Sequence, residues 1–134
     1  MPHLILEYSA NIEEKADIPA LLKLVHAAAL ETGLFPIGGI RVRAIRCDHY
    51  LIGDGHPDNG FIHMTGKIGP GRDLEARQKA SHHIFSAFKD ALAEMYDKHP
   101  LALSFELAEL AAETRFNHNN LHDIIKMRSG PKAS

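Results

Sequence analysis

Twice along this chain an apolar, strand-like run gives way to a helical period and then to a second strand-like run. His3 to Tyr8 is short and β-prone, and after a polar stretch Asp17 stands where a helix N-cap is needed, with Pro19 tolerated in the first turn. Ile18, Leu21, Leu22, Val25, Ala28 and Ala29 then recur at helical spacing, and Gly33 falls where a left-handed residue closes a helix. Ile40 to Arg46 alternates apolar and basic residues and reads as a second strand. After the turn residues between Gly53 and Asn59 the order repeats. Phe61 to Ile68 is a third strand and Asp73 a second N-cap. Leu74, Ser81, Ile84, Phe85, Phe88, Leu92 and Met95 mark the core side of one helix ending at His99-Pro100, and Leu101 to Leu107 is a fourth strand. Two β-α-β units with right-handed crossovers predict an α+β fold: one four-stranded sheet with two helices on one face.

The chain reads as a single domain over 1–128, with Phe116 to His122 irregular or briefly helical and 129–134 a frayed tail. Leu4, Leu6 and Tyr8 point to one face of the first strand and Ile5 to the other. Sheets apolar on both faces are buried on both, so the face without helices is expected to pack against further copies of the chain. No apolar run approaches the roughly 20 residues of a membrane span, and no signal-peptide pattern is visible. A net charge of −2 excludes a general pull toward nucleic acid or anionic membrane. Cys47 has no second cysteine to pair with, which suits a reducing, cytoplasmic setting.

Pro2 is the candidate chemical group. A proline in the first position of a strand costs no ladder hydrogen bond, so it is compatible with a purely structural role. With Met1 clipped, however, Pro2 becomes a secondary amine aimed by a rigid strand. Such an amine needs a lowered pKa to work as a base near neutrality, since an ordinary chain terminus titrates at about 7.7–8.0 and a secondary amine is more basic. Apolar walls and neighbouring arginines both push in that direction. Arg41 begins the second strand, with Arg43 on the same face, and Arg72 precedes the second helix, whose N-terminus favours anions. Guanidinium binds carboxylate through two prongs in a way that lysine does not. Tyr8 shares a strand face with Pro2 and is a candidate to line the same pocket.

Several separated stretches, in order, resemble the 5-carboxymethyl-2-hydroxymuconate isomerases of the tautomerase superfamily. They are Pro2 to Ser9, Gly33-Leu34-Phe35-Pro36 before Gly39-Ile40-Arg41, Gly69-Pro70-Gly71-Arg72 before Leu74 to Arg77, Leu101 to Glu106, and Phe116 to His122. The resemblance implies a trimer without cofactor that isomerises an unsaturated di- or tricarboxylate in the breakdown of homoprotocatechuate. It implies Pro2 as general base and then acid, and Arg41 and Arg72 as carboxylate-binding residues, with Arg43 and Tyr8 as further candidates. Smaller tautomerases carry an arginine about ten residues after the proline, where this chain has Asn11-Ile12-Glu13. Another proline-dependent tautomerisation, hydration or dehalogenation stays open, as does a binding module of the same fold.

The remaining motifs point elsewhere. His118 and His122 have helical i, i+4 spacing but lack the glutamate context of a zinc helix, and no metal is expected. Gly69-Pro70-Gly71 lacks the lysine and hydroxyl of a phosphate loop. His3 alternates to the face opposite Pro2, and Glu7 and Glu106 are expected to pair structurally.

Overall fold

The computed structural model describes residues 1–130. Its elements follow the order β1 (Pro2–Ser9), α1 (Ile18–Glu31), β2 (Arg41–Cys47), β3 (Gly60–Ile68), α2 (Leu74–Ala91), α3 (Ala93–Lys98), β4 (Leu101–Glu109) and α4 (Leu121–Arg128). Local signals set the boundaries. Asp17 accepts the Ala20 amide at 3.1 Å and Asp73 accepts that of Ala76 at 2.8 Å, each capping its helix. Gly33, at φ 73°, leaves α1 in the left-handed conformation that a Cβ disfavours.

The sheet has the order β2-β1-β3-β4. β1 runs parallel to β2 with His3 opposite Arg41, and β3 runs parallel to β4 with Gly60 opposite Leu101. The two β-α-β halves meet through the antiparallel β1–β3 pair, in which Pro2 faces Ile68. Leu4, Leu6 and Tyr8 of β1 and Ile62, Met64 and Ile68 of β3 point to the helix side, where Val25 and Ala29 of α1 and Ile84 and Phe88 of α2 complete the core. Phe88 and Leu4 are fully buried, and truncating either to alanine costs about 3 kcal/mol by lost transfer and cavity formation.

Three expectations change in detail. The second helix is not continuous: Leu92, at φ −107° and ψ 9°, divides α2 from α3 while it and Met95 stay buried. The Leu92 amide bonds back to Lys89 at 3.1 Å, and this tighter turn re-aims the last stretch onto the core. Leu74, read as core, is 57% exposed because it lies in the first turn, ahead of the buried stripe that begins at Ala80. The uncovered sheet face is not apolar. Alternation places His3 and Glu7, Arg41 and Arg43, His63 and Lys67, and Ser104 and Glu106 on it, with Ile5, Ile45 and Phe61 among them. Ile5 alone had suggested a second apolar face; the neighbouring strands surround it with polar side chains.

Polar groups on that face pair with each other. His63 Nδ1 meets Ser104 Oγ at 2.6 Å, and Arg43 Nη1 donates to His3 Nδ1 at 3.1 Å. Ser129 and Gly130 follow α4, and the rest of the expected tail, residues 131–134, lies outside the described residues. Among the described residues no helix is long and apolar enough to cross a membrane.

Candidate active site

Strand direction decides which loops meet. β2 is parallel to β1, so its start lies beside Pro2; β3 is antiparallel and β4 follows it, so both end there. Four segments therefore converge at one end of the sheet: the start of β1, the turn before β2, Gly69 to Asp73 after β3, and the irregular stretch after β4. The turn before β2 is a tight Ile37–Gly39 helix closed by the Gly39 and Ile40 amides. It must carry glycines. A Cβ on Gly39 would collide with the Met1 amine, and one on Gly38 would lie 2.6 Å from His122 Nδ1 in the first turn of α4. The helix that follows Asn120 thus braces the turn on which the chain start rests.

Pro2 is fully buried on the helix side of the sheet, and Met1 is half-buried beyond it. The Met1 ammonium is held below its ordinary value of 8.0, first by burial and then by repulsion from Arg41, Arg72 and Arg115. Each of the first two guanidinium groups is positioned by backbone. Arg41 Nη1 donates to the Gly39 carbonyl at 3.0 Å. Arg72 donates to the carbonyls of Gly69 at 3.2 Å and Leu34 at 3.0 Å, and lies over the Phe35 ring at 5.2 Å. Arg77 supports from behind, donating through Nε to the Arg72 carbonyl at 3.2 Å.

No carboxylate neutralises this group. Among the described residues Arg41, Arg72 and Arg115 make no ion pair, while the nearby Glu109 sits 3.9 Å from Arg77 and accepts the Gly71 amide at 3.3 Å. Three guanidinium groups without ion pairs, gathered about a chain start whose ammonium they disfavour, make a place for a multiply charged anion.

Of the residues singled out from sequence, Pro2, Arg41 and Arg72 come together. Arg43 does not join them; it is exposed on the open face and bonded to His3, whose pKa is lowered by burial and then by Arg43. Tyr8 is not brought there either. It lies 5% exposed at the far end of β1, roughly 20 Å along the strand from Pro2, and its hydroxyl donates to Glu13 at 2.6 Å. Arg115 was missed, because the stretch between Glu109 and Leu121 has no period to place its side chains. The one signal available was topological: a strand parallel to β3 must release its chain at the Pro2 end. No three His, Cys, Asp or Glu side chains among the described residues converge as a metal site would require.

Residues 2–125 match the family model described as 5-carboxymethyl-2-hydroxymuconate isomerase. The chain is 44% identical over 126 residues to the 5-carboxymethyl-2-hydroxymuconate Delta-isomerase of Escherichia coli, covering 94% of this chain and 100% of that protein. The crystal structure of a 5-carboxymethyl-2-hydroxymuconate isomerase from Deinococcus radiodurans R1 superposes with a TM-score of 0.86 at 34% identity, over 92% of this chain and 93% of that one. A member of the cis-3-chloroacrylic acid dehalogenase family superposes with a TM-score of 0.64 at 16% identity, over 98% of this chain and 94% of that one; this likeness is one of fold alone. With a proline-led strand, a ring of arginines at its start and this likeness along nearly its whole length, the chain is an isomerase and belongs to the 5-carboxymethyl-2-hydroxymuconate isomerase family.

Proposed function

We propose that this protein converts 5-carboxymethyl-2-hydroxymuconate to its conjugated keto form, with Pro2, freed by removal of Met1, as the single acid–base group. The observation that carries this reading is the cluster of unneutralised arginines around the start of β1. The neutral Pro2 nitrogen takes the proton of the substrate's enol hydroxyl as the electron pair moves into the new carbonyl. The resulting ammonium returns a proton to the far carbon of the conjugated system. One proton leaves oxygen, one arrives at carbon, and the amine ends as it began, so the balance calls for no oxidant, reductant or cofactor. Arg41 and Arg72 hold carboxylates of the substrate and disfavour the ammonium in the resting enzyme, which keeps the base available near neutrality.

A homotrimer suits this reading. β2 is an edge strand, and Arg41 stands on the sheet face that no helix covers, so a neighbouring copy of the chain would close the site from outside. A role in the breakdown of homoprotocatechuate and related aromatic acids is what the family resemblance implies.

The test is turnover of 5-carboxymethyl-2-hydroxymuconate by protein shown by mass spectrometry to lack Met1. Pro2→Ala, or retention of Met1, lowers kcat at least ~100-fold, the usual range for loss of a general acid–base group. Turnover that survives Pro2→Ala within a few-fold excludes this mechanism.

A further inference from the structure

We propose that Arg115 binds a carboxylate of the substrate and makes this enzyme selective for substrates that carry a third one. The proposal rests on the isomerase reading above and adds a residue and a selectivity to it.

The geometry begins at the end of β4. The Leu110 amide donates to the Ile68 carbonyl at 2.7 Å, so the β3–β4 pairing runs one residue past the strand. A turn at residues 112–114 then reverses the chain and sets Arg115 over Gly69. The point a Cβ on Gly69 would occupy lies 3.6 Å from Arg115 Nη2 and 3.9 Å from Arg72 Nη1. Two guanidinium groups thus flank a residue that has no side chain to separate them. Like charges gather so closely only at a cost, which a bound anion removes.

The two arginines differ in how they are held. Arg72 spends donors on two carbonyls and is fixed in place. Arg115 is exposed and, among the described residues, makes neither an ion pair nor a hydrogen bond. Glu113, two residues earlier, does not claim it. An ordinary surface arginine would stand away from other cations, whereas this one stands beside two and adds to the field at the chain start. A muconate with a carboxymethyl arm has three carboxylates. Arg41 and Arg72 match two, and Arg115 is the third guanidinium that acts on the chain start, with its donors unspent among the described residues. Because it is unanchored, it contributes to affinity more than to alignment of the reacting atoms, and its loss falls on KM rather than kcat.

The experiment compares wild type, Arg115→Met and Arg115→Lys in two ways. Calorimetric titration with propane-1,2,3-tricarboxylate and with glutarate reads binding without chemistry. Arg115→Met weakens the tricarboxylate about fivefold to tenfold, in line with one charge-assisted contact at a partly exposed site. It leaves glutarate within twofold, and Arg115→Lys recovers part of the loss. In turnover, KM for 5-carboxymethyl-2-hydroxymuconate rises by a similar factor with kcat within about twofold and the melting temperature unchanged. Equal weakening of both anions, or none, overturns the assignment of Arg115. Absence of turnover in wild type, with the tricarboxylate preference still lost in Arg115→Met, would sink the isomerase reading and leave the anion contact standing. Wild-type turnover with Arg115→Met indistinguishable from it would sink the Arg115 assignment alone.

Discussion

Replacing Arg72 by methionine sets two forces of opposite sign against each other. The guanidinium donates to the Gly69 and Leu34 carbonyls at 3.2 and 3.0 Å and lies 5.2 Å from the centre of the Phe35 ring. Each charge-assisted bond contributes about 1 kcal/mol once partial exposure is discounted, and the ring contact about 0.5–1 kcal/mol. Methionine keeps roughly 0.5 kcal/mol of the ring contact through its sulfur. Opposing this, the substitution relieves repulsion from Arg41, Arg115 and the chain-start amine. At 0.15 M salt the screening length is about 8 Å, so that relief amounts to less than about 1 kcal/mol. The anchoring wins, and Arg72→Met is destabilised by about 1–1.5 kcal/mol, which lowers the melting temperature of a chain this size by roughly 5 °C. Thermal unfolding in chloride buffer free of polycarboxylates, at fixed protein concentration because assembly contributes to stability, reads the difference directly. Added salt quiets the repulsion in wild type and leaves the short contacts, so the gap should widen as salt rises. A variant at least as stable as wild type in low salt, with the gap closing on adding salt, would refute the view that backbone and ring hold Arg72 against its neighbours.

Titration and packing supply two further outcomes. The Met1 ammonium is lowered from 8.0 by burial and then by three arginines, so in protein that retains Met1 the Arg41→Met substitution raises its pKa, and an NMR titration of that amine should follow the rise. In the clipped enzyme the proposed base is the Pro2 amine, beside the same arginine, so the same substitution should move the acid limb of kcat/KM to higher pH; an unmoved limb would show that Arg41 does not act on that amine. For stability the sign is fixed: as pH falls through the ordinary amine range the unfolded chain takes up its proton first, so this group withdraws stability there and withdraws none above that range. Tyr8→Phe removes a 2.6 Å bond to Glu13 made by a phenol pushed up to about 12, chiefly by burial. It costs about 1 kcal/mol in denaturant unfolding and leaves kcat/KM unchanged; a drop in kcat/KM beyond a few-fold with stability intact would return Tyr8 to the site.

What the residues announce beforehand and what they conceal divides along a physical line. Caps, turns and periods are local, and Asp17, Asp73 and Gly33 do in the fold what their chemistry suggests. Period two also assigns faces correctly, since Tyr8 and Pro2 do share one. Parity says nothing about distance along a strand, which is why Tyr8 reads as a neighbour of Pro2 while standing at its opposite end. The character of a sheet face is likewise a sum over four strands. Ile5 alone suggests an apolar second side; His3, Arg43, His63 and Ser104, brought beside it by pairing, make that side polar. Arg41 and Arg72 are visible because they border regular elements. Arg115 is not, because only the direction of β4 and the reversal after it carry that side chain to the chain start.

The antiparallel contact between β1 and β3 has a further meaning. It relates the two halves of the sheet by an approximate half-turn, so the beginning of β3 is the counterpart of the beginning of β1. At that counterpart Gly60 is joined by an ordinary peptide bond to Asn59, and its amide is spent on the Pro100 carbonyl at 3.0 Å. Two separate β-α-β chains would each bring a terminal nitrogen; one fused chain brings one per sheet. The corner there holds Ser9, Asn11 and Asn59 knitted together by short hydrogen bonds. On the proposed mechanism the sheet has a reactive pole at Pro2 and a structural pole at Gly60, each free to change without the other.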